Sequence, residues 1–144
     1  MTSIGLSLID RLLDDEGSLA ERVRNGLRRD LEDLLNSNPR VVSWSRELAE
    51  LDSSLLNFGI PDLATTNLAT EHLRMAAVAE IGEIIRAWEP RLKDLVVSAI
   101  PNADPADNSL RMRIEGQVML DPLKEPMIFD TIIDPIGNVI SLGA

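Results

Sequence analysis

The chain has no cysteine and no tyrosine, and its 144 residues include only two tryptophans, two phenylalanines and one histidine. The missing cysteine removes disulfide scaffolds, thiolate zinc sites and cysteine nucleophiles together, and leaves the redox compartment unreadable from thiol usage. With so few aromatics, the 44% of apolar residues is nearly all Leu, Ile, Val, Ala and Met. That composition predicts an aliphatic core and argues against disorder. Basic residues are also scarce: 14 Lys and Arg face 24 Asp and Glu, for a formal charge of −10. Residues 92–144 carry four basic and eight acidic side chains, net −4, which leaves −6 for the first 91. Phosphate-rich ligands are bound by Lys and Arg that release counterions. Nucleic acid and anionic membrane surfaces are therefore not expected as partners, and a charged partner should be basic. No run approaches the roughly 20 apolar residues of a membrane span. The opening MTSIGLSLIDRLLDDEGS has no basic n-region and meets Asp10 and Arg11 before an apolar run reaches signal-peptide length. The expected location is cytosolic, without membrane insertion.

What is present suggests one domain over 1–144, with a helical part over 1–89 and a strand-rich part over 92–144. Ile9, Leu12 and Leu13 give a short amphipathic start that Gly17 breaks. Ser18 and Glu21 have the spacing of a capping box. Leu19, Val23, Leu27, Leu31, Leu34 and Leu35 follow at helical intervals, and NSNP ends that helix near Asn36. A third apolar segment around Leu48, Leu51, Leu55 and Leu56 reads as a short helix or irregular chain. In LLNFGIPDL, Gly59 permits positive φ, Pro61 fixes φ, and Asp62 can accept from the amides that follow. Leu73, Ala77, Ile81, Ile84, Ile85 and Trp88 then form one stripe, and Pro90 stops this helix at about Trp88.

Beyond Pro90 the periodicity changes. LVVSAI at 95–100 reads as a strand from its β-branched residues, although Leu92, Leu95, Val96 and Ala99 also fit a helical stripe. Leu110, Met112 and Ile114 alternate with Arg111, Arg113 and Glu115, the pattern of a half-buried strand. DPLKEP reads as a turn, MIFDTII as a further strand, and Asp134, Pro135 and Gly137 as the turn of a hairpin onto NVISL. The fold class is α+β: N-terminal helices packed on one face of a small, mainly antiparallel C-terminal sheet.

Local chemistry is sparse. His72 has no converging carboxylates and is expected to face solvent. No nucleophile-elbow, P-loop or dinucleotide glycine pattern occurs, so no cofactor or metal is expected. A glycosidase needs two carboxylates, one with a raised pKa. Glu89 is the only obvious acid, and Arg91 beside it would lower its pKa instead. The plain reading of Glu89 and Arg91 is a surface ion pair worth about 0–1 kcal/mol. The functional reading is an exposed charged pair at a rigid proline corner, facing complementary charges on a partner. In that case alanine at either position should change stability by only about 0.5 kcal/mol.

Three segments together resemble the TssE family of type VI secretion baseplate proteins, itself similar to the baseplate wedge protein of contractile-tailed phages sometimes labelled lysozyme-like. They are LRRDLEDLLN at 27–36, LLNFGIPDL at 55–63 and IRAWEPRL at 85–92. Trp88 stands where Phe is more usual, and NSNP replaces the threonine and arginine that often follow Leu-Leu-Asn. The resemblance implies a non-enzymatic structural component of a baseplate docked at the inner membrane, one that starts polymerisation of the contractile sheath. It implies sheath subunits and other baseplate wedge proteins as partners. Its sheet would accept strands from the sheath by main-chain pairing, and Glu89, Pro90 and Arg91 would hold the sheath subunit. The alternative it leaves is a peptidoglycan-cleaving, lysozyme-like hydrolase.

Overall fold

A computed structural model describes residues 6–13, 16–41, 43–120, 122–136 and 140–143. Among the described residues the α-helices are α1 (Leu8–Leu12), α2 (Leu19–Leu35) and α3 (Glu71–Trp88). Each starts where a side chain can answer a free amide. In α2 the Ser18 hydroxyl accepts from the Glu21 amide at 3.3 Å while the Glu21 carboxylate accepts from the Ser18 amide at 2.7 Å, the capping box its spacing predicts. Thr70 caps α3 through the Leu73 amide. The buried stripe of α2 is Val23, Leu27, Leu31, Leu34 and Leu35, and that of α3 is centred on Ala77, Val78, Ile81 and Ile85. Between them the apolar segment at 48–56 forms two short 3-10 turns, Ala49–Ser53 and Leu55–Asn57, with Leu48, Leu55 and Leu56 exposed.

After α3 the chain makes four antiparallel strands in the order β1-β2-β3-β4: β1 Lys93–Ala99, β2 Leu110–Leu120, β3 Leu123–Ile133 and β4 Leu142–Gly143. The period-two pattern of β2 is realised, with Leu110, Met112, Ile114 and Val118 buried, and Met127, Phe129 and Ile133 of β3 lie beside them on the same face. The helices cover this face, so the fold is α+β with one helical layer.

One reading of the strand region changes. DPLKEP is not a turn throughout: β3 already begins at Leu123, so the link from β2 is only two residues long. Pro126 lies inside β3, opposite Gln117. Ile100 donates to the Arg111 carbonyl, and bonds alternate along an antiparallel ladder. The nitrogen of Pro126 therefore points away from β2, to a side that β4 does not reach, where a strand tolerates proline. Of the returning segment NVISL, Asn138 and Val139 lie outside the described residues; among the described ones β4 pairs Leu142 and Gly143 with Thr131 and Asp130. Gly137 lies outside the described residues.

That short strand is held by α2 as much as by the sheet. The Asn36 amide group donates to the Ile140 carbonyl and accepts from the Ile140 amide, at 2.9 and 2.8 Å, while the Leu142 amide donates to Glu32 at 2.9 Å. Asn36 thus does for Ile140 what a neighbouring strand would do. Asn36→Ala is expected to cost about 1–2 kcal/mol, the worth of two ordinary hydrogen bonds. The cost is read from chemical denaturation, with faster amide exchange confined to 140–143.

Candidate functional site

Pro90 ends α3 because it cannot donate a helical bond and disfavours the α region at Glu89. Glu89 accordingly leaves the helix at φ −119°, ψ 80°, with its amide still bonded to Ile85. The chain then runs beside α2. Arg91 closes on Glu89 through Nε at 2.7 Å, Nη2 at 2.8 Å and its own backbone amide at 3.2 Å. Arg91 also donates to Asp30 of α2 and lies 3.6 Å from Asp10 of α1, and Asp10 takes a further bond from Arg29.

This corrects the reading of an exposed pair. Glu89 is 6% exposed and the Arg91 side chain 16%. Two guanidiniums and three carboxylates instead form a junction that joins α1, α2 and the end of α3. Its physical basis is mutual satisfaction: charges this buried persist only when paired and hydrogen-bonded. Hydrogen bonding to Glu89, opposed by burial and reinforced by Asp30, holds the Arg91 guanidinium above its ordinary range, and so charged.

Asp10 explains a second departure. The amphipathic start read from Ile9, Leu12 and Leu13 turns its apolar side outward: these residues and Leu8 are exposed while Asp10 is 3% exposed. The space for its carboxylate exists because residue 26 is glycine, where a Cβ would overlap it. Burial works to raise the Asp10 pKa, but hydrogen bonds from Ser7 and the Arg29 guanidinium outweigh it and hold the carboxyl below the ordinary value of 3.8. The sign of the linkage follows. The folded value lies below the unfolded one, so this contribution is complete above pH 3.8 and is lost as pH falls through the folded value. Protease nicking of the α1 segment should therefore rise on acidification below that range. In Asp10→Asn the same nicking is expected to be high and flat with pH.

The three motif segments meet at this corner. LRRDLEDLLN supplies Arg29 and Asp30 to the junction and Asn36 to the C-terminal strand. LLNFGIPDL supplies Phe58, whose ring meets Trp88 edge to face with centroids 5.2 Å apart and planes at 84°. Gly59, at φ +126°, lets the next amide, that of Ile60, reach the Ser37 carbonyl at 2.9 Å, and Asp62 accepts from Ala64 as its position suggests. Together with Pro90, which is exposed, Asp30, Asp33, Leu34, Phe58 and Trp88 line a groove of about 400 Å³. His72 lies apart, exposed in the first turn of α3.

A second feature was not legible in the sequence. Among the described residues β1 is a sheet edge, paired on one side only. Since Ile100 bonds to Arg111, the backbone groups of Val97 and Ala99 point outward, away from β2. The strand's start is blunted by an irregularity between Lys93 and Val96, with Asp94 at φ +52° and the Leu95 carbonyl covered by Arg86.

The baseplate wedge protein gp25 family profile matches residues 21–123, more than half of the chain. The chain belongs to the gp25 family of baseplate wedge proteins. As a gp25-family protein it is a structural baseplate component, the family to which the three motifs point. A chain in a solved structure described as the baseplate complex from the type VI secretion system shares its fold, with TM-score 0.55 and 13% identity over 79% of this chain and 96% of that one. No curated protein matches the sequence. Among the described residues of this gp25-family chain, no helix is long and apolar enough to cross a membrane.

Proposed function

We propose that this chain is a non-enzymatic nucleator of a contractile sheath in a type VI secretion baseplate, and that it receives a sheath strand at β1. The observation that carries the reading is the outward row of unpaired backbone groups at Val97 and Ala99. An open edge of this kind is completed by an added strand, with main-chain bonds giving affinity. Glu89, Pro90 and Arg91 contribute to the same contact in a divided way. Pro90 is presented to the sheath subunit beside the Phe58–Trp88 groove, while Glu89 and Arg91 set its position through the buried junction. The hydrolase alternative loses support, because Glu89 is buried with both carboxylate oxygens engaged by Arg91, whereas a general acid must reach the leaving group it protonates. The other expected partners are baseplate wedge proteins, in a cytoplasmic baseplate docked at the inner membrane.

The test is affinity capture of the tagged chain from cells that assemble the apparatus. Sheath subunits and wedge proteins are expected together. Wedge proteins without sheath, in cells that make sheath, would overturn the nucleator reading, and peptidoglycan turnover by the purified chain would overturn the non-enzymatic one.

A further inference from the structure

Beside the free edge of β1 lies a groove of about 450 Å³, between that strand and the first half of α3, lined by Met75, Val78, Ala79, Val97, Ala99 and Leu110 among others. Its wall is mostly apolar. Met75 is an exposed large apolar side chain and Ala79 is exposed, while Val97 and Ala99 are half-buried. Val97 and Ala99 turn their side chains to the helix-covered face of the sheet, as their partners Ile114 and Met112 do. Residues directly opposite each other in an antiparallel or parallel pairing carry their side chains on the same face. A strand bonded to the outward groups of Val97 and Ala99 must therefore place alternate side chains, two residues apart, beneath α3 and into this groove.

Resting on the reading that β1 takes a strand, we infer that the groove selects it: the incoming segment carries large aliphatic side chains at positions i and i+2, seated against Met75, Val78 and Ala79. The occupant is an extended segment and not a helix, because the groove runs along unpaired amides and carbonyls that only a strand satisfies. The irregularity at Asp94 and the Arg86 cap on Leu95 limit the usable edge to its second half, so the anchored stretch is short. Such a short main-chain contact depends on its side-chain anchors for affinity.

The experiment titrates the full isotope-labelled chain with two seven-residue peptides, both threonine-rich with lysine at each end. One has leucine and the other serine at the two alternate positions. The leucine peptide is expected to shift the Val97 and Ala99 amide signals and to bind roughly ten-fold more tightly than its serine twin, about 1.4 kcal/mol of difference. Ala79→Arg, an exposed position where the fold should tolerate the change, is expected to abolish that preference with its melting temperature unchanged. Ala99→Pro, which removes an outward amide without touching the β2 ladder, should weaken both peptides. Equal binding of the two peptides at Val97 and Ala99 would overturn the groove while leaving strand pairing intact. If neither peptide perturbs these amides, the groove and the strand-pairing reading both fall. A preference that survives Ala79→Arg would place the anchor elsewhere and overturn the inference.

Discussion

Replacing Arg91 with alanine is expected to lower the folding stability of the chain by about 3 kcal/mol, the cost of removing one partner of a buried ion pair and leaving the others uncompensated. Glu89 would lose both side-chain bonds that hold its carboxylate, at 6% exposure, and Asp30 and Asp10 would lose a counter-charge in the same step. The penalty is the stranded charge more than the missing attraction. Urea denaturation followed by circular dichroism measures it as a fall in midpoint at constant slope. Arg113→Ala provides the contrast. Its pair with Asp130 at 2.7 Å is equally short, but both side chains are nearly half exposed, so its midpoint should stay close to that of the wild type. A normal midpoint for Arg91→Ala would return the pair to ordinary surface decoration.

Gly59→Ala is expected to be comparably damaging, at roughly 3 kcal/mol. Two faults coincide there. The backbone stands at φ +126°, where a side chain is strained, and the added Cβ would overlap the Ser37 carbonyl and lie 2.8 Å from the Asn38 nitrogen. Those are backbone atoms of the turn that follows α2, and they cannot rotate aside. Relief would require opening the Ile60–Ser37 bond and withdrawing Phe58 from Trp88. Gly17→Ala makes a useful comparison, because its φ is also positive, +124°, but its new Cβ would meet the movable Glu21 carboxylate at 2.8 Å. The expected loss is about 1 kcal/mol. Equal thermal shifts for the two variants would contradict this account of the turn.

The features legible in the sequence are the ones whose causes are local. Ser18, Asn36 and Pro90 mark helix ends by their own local chemistry, and the alternation of Leu110, Met112 and Ile114 shows a strand with one buried face. The Glu-Pro-Arg corner is legible as a position, though not as an environment. Asp30 has the same periodicity as any solvent-facing acid, and only the tertiary fold brings it to Arg91, 61 residues away. The burial of Asp10 is hidden for the same reason. The neighbours of Asp10 read as an amphipathic start, and the deciding fact is an absent Cβ at Gly26. Pro126 misleads in the other direction, since a proline that reads as a turn is tolerated where the strand's outer side has no neighbour among the described residues. The free edge at Val97 and Ala99 is a property of strand order and of bond alternation, neither of which a side chain announces. Even so, the three segments that carry the family resemblance meet at the corner: one supplies Arg29 and Asp30, one the Phe58 ring, and one Trp88 with Glu89, Pro90 and Arg91.

Sheath nucleation is tested most directly by following polymerisation of purified sheath subunits by light scattering, with and without a baseplate wedge assembly containing this chain. The account predicts that the wild-type assembly shortens the lag, and that an otherwise identical assembly carrying Ala99→Pro, folded and incorporated to the same extent, leaves the lag near that of sheath alone. An unchanged lag with the wild-type assembly, or equal shortening by the Ala99→Pro assembly, would contradict it.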